Sequence, residues 1–136
     1  MIVEELVRHG LTLAAAELLT GGILATRMSA LDPDLKVFRG SAVATHDEAN
    51  RNLPGEKRAA AAAQSARAQF ATDVGIAALA PEEMEDYPPG TVFIAIAMQG
   101  TRKSRSVTLP GARSRMRSYA VISLLDYLRK TLMAEA

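Results

Sequence analysis

The stretch "LTLAAAELLTGGILATRM", residues 11–28, decides how this chain folds. Its opening, "LTLAAAE" (11–17), is a short apolar run suited to a buried strand. Its continuation, "GGILATRMSAL" (21–31), changes to helical spacing, with Ile23, Leu24, Arg27, Met28 and Leu31 in register and Thr20 placed as the N-cap. Thr20-Gly21-Gly22 therefore reads as a strand-to-helix turn where a ligand can approach the backbone. A helix start there offers free N–H groups and a partial positive charge, which suit phosphate or carboxylate. Neither Walker nor GxGxxG spacing is present. Leu18 and Leu19, just before the turn, can neither attack, donate a proton nor bind an ion.

Working outward, residues 2–9 place Ile2, Val3, Leu6 and Val7 on one helical face, and Gly10 ends that helix. "DPDLK" is a turn by composition, and "VFRGSAVAT" (37–45) is a second strand in which Gly40 marks a bulge or a close contact. Asp47 is placed to cap a short helical turn. "EKRAAAAAQSARAQF" has high helix propensity and predicts a helix over about 56–71. "DVGIAAL" and "TVFIAIAMQG" are strands, separated by the acidic loop "APEEMEDYPPG". "TRKSRSVTLPG" alternates weakly, as an antiparallel edge strand does. The last helix turns Met116, Ala120, Ile122, Leu125 and Leu128 towards the core. Alternating strands and helices, then a hairpin and a closing helix, imply one α/β domain over 1–136. The expected architecture is a three-layer α/β/α sandwich with a mixed, mostly parallel sheet of about five strands.

Composition sets bounds on the chemistry. A chain of 136 residues, 49% hydrophobic, is large enough to bury a real core. It has no cysteine, so disulfides, thiolate metal sites and a cysteine nucleophile are excluded. Two histidines, His9 and His46, cannot build a multi-histidine metal site from one chain. No metal and no cofactor are expected. The N-terminus is acidic, with neither a secretory signal nor a membrane span, so a cytoplasmic location is expected.

Charge gives one further signal. Residues 101–130 carry eight Lys or Arg against a single acid, Asp126, and Arg113 and Arg117 share a helical face that could grip one anion. No recognised nucleic-acid motif accompanies these charges, so a solvated strand edge and helix face explain them better than nucleic acid does. His46, Asp47, Glu48 and Glu17 supply acid–base groups, but no serine stands beside the His-Asp pair. "EEMED" (82–86) reads as a solvated loop rather than a cation site.

Four segments in this order resemble the C-terminal domain of the CinA family, the competence/damage-inducible proteins: "GLTLAAAELLTGG" (10–22), "RGSAVATHDEAN" (39–50), "GTVFIAI" (90–96) and "GARSRMR" (111–117). The family pattern runs "GLTLATAESCTGG", "LGGVVAYSNEAK", "GTVYIAL" and "GDR..IR". The resemblance implies hydrolysis of the amide of nicotinamide mononucleotide, with a serine nucleophile helped by a tyrosine, a lysine and a later threonine. Those four positions fall on Leu18, Thr45, Asn50 and Leu79. The "GAVS" segment that normally precedes the middle helix has no counterpart. A leucine has no lone pair with which to attack, and asparagine cannot replace a lysine that activates a nucleophile. The expectation is a domain without catalytic residues. Glu17, Thr20, Gly21, Gly22, Arg113 and Arg117 are left as candidates to hold a small nucleotide or phosphate ligand. The resemblance also implies a homo-oligomer. Two alternatives are a diverged hydrolase with a relocated nucleophile, Thr20 with His46 as base, acting on nicotinamide mononucleotide or a related amide, and a nucleic-acid-associated accessory protein.

Overall fold

The computed structural model describes residues 2–46, 50–82, 84–111 and 113–134, the side chains of residues 113 and 114 excepted. In chain order the elements are α1 (Ile2–His9), β1 (Leu13–Glu17), α2 (Ile23–Leu31), β2 (Phe38–Val43) and α3 (Gly55–Gln69). They continue with β3 (Val74–Leu79), β4 (Thr91–Met98), β5 (Thr101–Thr108) and α4 (Arg113–Ala134). The five strands form one mixed sheet in the order β2-β1-β3-β4-β5. β1 pairs in parallel with β2 and β3, whereas β3–β4 and β4–β5 are antiparallel. Only β4 therefore opposes the common strand direction.

The period-two alternation sorts side chains between two cores. Leu13, Ala15, Val74, Ile76, Val92, Ile94 and Ile96 join α1, α2 and α4 on one face. Ala14, Ala16, Ala77, Phe93, Ala95 and Ala97 meet α3 on the other. The first core is branched and thick, and the second is almost entirely alanine. Small residues let α3 lie close to the sheet, and the approach is tight at Gly75. A Cβ there would run into the carbonyl oxygen of Ala63. Gly75 thus serves close packing within a strand.

The expected bulge and close contact at Gly40 both occur. Leu13 pairs with Phe38 and Ala14 with Gly40, which leaves Arg39 as the extra residue. A Cβ at Gly40 would meet the Phe70 ring. The "DPDLK" turn is tied by Asp32, whose carboxylate accepts the N–H groups of Lys36 (2.9 Å), Val37 (2.9 Å) and Phe38 (2.8 Å). Burial pushes that carboxyl up, but these three donors and the charge of Arg39 outweigh it and hold it below the ordinary carboxylate range.

Three local expectations are corrected. Val7 is 52% exposed, because the short α1 buries only the face carrying Ile2 and Leu6. Ile122 is 48% exposed: the buried stripe of α4 runs through Ala120, Val121, Leu124, Leu125 and Leu128, and one residue beyond Val121 turns about 100° away. The third concerns Thr20, which does not cap α2. The flanking residue is Gly22, in the left-handed region at φ 96°, and it makes no side-chain capping bond. Asp47, Glu48 and Glu83 lie outside the described residues. No helix among the described residues is long and apolar enough to cross a membrane.

Gly75→Ala is expected to lower unfolding free energy by at least about 2 kcal/mol, since backbone rather than a flexible side-chain tip blocks the new methyl. Urea denaturation of the variant beside the native chain measures this, and Gly10→Ala, with open space around it, separates packing from strain at a positive-φ glycine.

Candidate functional site

The strand-to-helix turn is built around Glu17, the last residue of β1, whose side chain is fully buried. Its Oε1 accepts the Thr20 hydroxyl at 2.6 Å and the N–H groups of Gly22 (3.1 Å) and Leu24 (2.9 Å). Its Oε2 accepts the Ser41 hydroxyl at 2.6 Å and the N–H of Ala25 at 3.3 Å. Glu17 thus does the capping that the sequence reading gave to Thr20: it supplies the orphan donors of α2 with acceptors from outside the helix. The negative charge at the helix start is the chain's own. Thr20 is fully buried and its hydroxyl hydrogen is committed to Glu17.

What stays outward at the turn is Gly21, at φ 59°, with the Arg117 guanidinium above it. Arg117 Nη1 lies 4.0 Å from where a Cβ at Gly21 would stand. The side chain of Arg113 lies outside the described residues.

Beside the turn, the order β2-β1-β3 places α2 and α3 on opposite faces of the sheet. The C-terminal ends of β1 and β3 therefore form the crevice where the winding reverses, the usual ligand position in open α/β sheets. Leu18, Thr45 and Leu79 meet there, around a cavity of about 150 Å³ that His46, Arg58 and Glu82 also line. Three of the four positions picked out by the resemblance thus share one space. Asn50 lies in the turn before α3, its carbonyl accepting the Leu53 N–H at 3.0 Å, and is not part of that lining. Thr20 lines neither this cavity nor the neighbouring one that His46 also borders. Among the described residues no group of His, Asp and Glu is placed to share a metal ion.

A family model for the CinA C-terminal domain matches residues 1–132. The chain belongs to the CinA family. It is 36% identical over 143 residues to a CinA-like protein of Frankia casuarinae, covering 93% of this chain and 33% of that one. It is 30% identical over 152 residues to a putative competence-damage inducible protein of Streptococcus pneumoniae, covering 99% and 36%. The chain therefore spans about a third of the length of these curated relatives. A CinA superfamily protein from Klebsiella pneumoniae has the same fold, with a TM-score of 0.85 at 24% identity, over 98% of this chain and 94% of that one. A CinA superfamily protein from Escherichia coli superposes with a TM-score of 0.84 at 27% identity, over 96% and 86%.

One pair at the edge of this CinA cleft, of which Arg58 lines the cavity, escaped the sequence reading. Arg58, 3% exposed, donates to Glu85 Oε1 at 2.6 Å, to the Ala80 carbonyl at 2.9 Å and to the Leu53 carbonyl at 3.4 Å. Glu85 also accepts the N–H groups of Gly55 (2.9 Å) and Glu82 (2.9 Å), so it caps α3 from thirty residues away. The "EEMED" loop is not simply solvated, since Glu85 clasps it to α3. A signal for Arg58 was available: it falls on the same face of α3 as Ala59, Ala62 and Ala66, where a solvated arginine does not belong.

Burial pushes the Glu85 carboxyl up, but the Glu82 N–H, the Arg58 guanidinium and the Gly55 N–H outweigh it and hold it below its ordinary 4.5. On acidification the unfolded chain then takes up this proton first. The clasp's stabilisation is complete above the ordinary value and is lost as pH falls through the lower folded one. Glu85→Gln is expected to flatten the fall in stability between roughly pH 5 and pH 3, read from denaturation midpoints; an unchanged slope contradicts the assignment. Glu17→Ala, which strands five donors, two of them in fully buried bonds, is expected to cost roughly 3 kcal/mol or to prevent folding, measured the same way.

Proposed function

We propose that this chain is a CinA-type domain without amidase chemistry, serving as a binding module for a phosphate-bearing nucleotide. The observation that carries the proposal is the meeting of Leu18, Thr45 and Leu79 around one cavity. Covalent hydrolysis needs an attacking atom and an activating base within hydrogen-bond reach. Leucine at two of these positions supplies neither. The Thr45 hydroxyl makes no hydrogen bond to a base among the described residues, and the buried Thr20 hydroxyl points at Glu17. Catalytic groups act as a unit, so loss of the nucleophile alone removes most of the rate.

The phosphate reading is supported by Arg117 over the Gly21 turn. Glu17 already occupies the N–H groups of Gly22, Leu24 and Ala25, so the guanidinium, rather than the helix terminus, is the source of anion affinity here. Whatever the longer CinA-like proteins do as whole chains, this cleft holds its shape and lacks their implied nucleophile.

Incubation with nicotinamide mononucleotide is expected to release no ammonia above a protein-free blank. Leu18→Ser alone is expected to leave that result unchanged. Turnover by the native chain that Thr45→Ala or Thr20→Ala abolishes would overturn the proposal. Binding is tested by thermal shift with a panel of nucleoside monophosphates. At a hundredfold excess over Kd the stabilisation is about 2.7 kcal/mol, several degrees for a domain of this size, and Arg117→Ala is expected to remove it.

A further inference from the structure

The cleft does not end at the cavity that Leu18, Thr45 and Leu79 share. Leu18 and His46 also border a second hollow of about 120 Å³ that runs between β2 and α3. Its wall is apolar and small: Ala16, Ala42, Ala44, Ala62 and Ala66. The polar side chains at its border are His46, Ser65 and Gln69.

The hollow follows from the fold. α3 lies over β1, β3, β4 and β5 and leaves the edge strand β2 largely uncovered, so a wedge opens between helix and edge. On the α3 side of β2 the wedge meets Gly40, Ala42 and Ala44 in turn. At Gly40 it is filled by the ring of Phe70, and no space remains there even for a methyl group. Two and four residues further on, alanine replaces glycine and no aromatic ring arrives, so the wedge stays open. The chain itself shows what fits between α3 and β2, and it is a six-membered ring. An enclosed aliphatic cavity of about 150 Å³ holds one benzene-sized molecule, and the hollow here, about 120 Å³, is open on its outer side so that a ring can seat with its arm outward.

We infer that the alanine-walled hollow is a subsite for an apolar six-membered ring bearing one hydrogen-bonding arm, with Leu18 as its end wall. The ring packs against Ala16, Ala42 and Ala62, and the arm reaches His46, Ser65 or Gln69. The inference rests on the cleft being a ligand site without a nucleophile, and it names the chemistry of the ligand's apolar end. Leu18 then acts as a specificity-determining residue. A carboxamide pressed against Leu18 loses the partners it has in water, and an apolar ring loses nothing.

Benzyl alcohol and nicotinamide, two single rings that differ in polarity, test this by titration into isotope-labelled protein with the Leu18 and alanine methyl resonances observed. Benzyl alcohol is expected to bind at least about tenfold more tightly than nicotinamide and to shift the methyls of Leu18, Ala42 and Ala44. Ala44→Phe, at an exposed position on the rim, is expected to fill the hollow and abolish the shifts. Leu18→Ser is expected to narrow the difference between the two rings. Nicotinamide binding as tightly as benzyl alcohol, or benzyl alcohol shifts that survive Ala44→Phe, would sink the inference. Neither probe carries a phosphate or is scored by turnover, so failure of the nucleotide reading and failure of this one give different results.

Discussion

Everything near the cleft depends on one buried carboxylate. Glu17 ends β1, and its two oxygens take five donors from the turn, the start of α2 and the neighbouring strand β2. Buried polar groups persist when their hydrogen bonds are complete, and this network is complete on the carboxylate's side. It fixes the exit angle of the chain from the sheet, and so the direction in which Leu18 points. The same device recurs twice. Asp32 ties three N–H groups at the entry to β2, and Glu85 caps α3 while holding Arg58. In each case an acid outside a regular element satisfies backbone donors that the element cannot satisfy itself.

The two faces of the sheet divide the work. The branched core beneath α1, α2 and α4 supplies bulk burial, with Leu13, Ile76, Ile94 and Leu124 all fully buried. The alanine face beneath α3 brings a helix close to the strands and leaves the space towards β2 unfilled. Residues that border the cleft can therefore change without loss of the scaffold. Leu18 and Leu79 border the cleft, whereas Glu17 and Gly75 are enclosed by backbone that they hold in place.

Much of this was legible in the residues, for identifiable reasons. The elements with strong periodicity, such as "TVFIAIAM" and the alanine-rich helix, were placed to within a residue or two. Gly40 announced a bulge or a close contact, because a glycine inside a strand has few other uses, and the structure has both. Thr20 misled, because a threonine before a helix is the common cap, and nothing local shows that a glutamate three residues earlier outcompetes it. The Arg58–Glu85 pair is separated by 27 residues, so no window of sequence displays it. Leu18, Thr45 and Leu79 share one space because of strand order, and strand order is a property of the sheet rather than of any segment.

The bulge at Arg39 has a consequence for how this sheet ends. An unpaired strand edge invites another strand, and a flat edge invites a whole sheet. Here β2 is kinked by its extra residue, and the opposite edge, β5, carries Arg102, Lys103 and Arg105 with no acid among them. Lys103 and Arg105 both stand over the ring of Tyr127, at 5.3 and 4.8 Å from its centre, so two positive charges are pinned along that border. One margin is bent and the other is charged, and both features oppose growth of the five strands by strand addition.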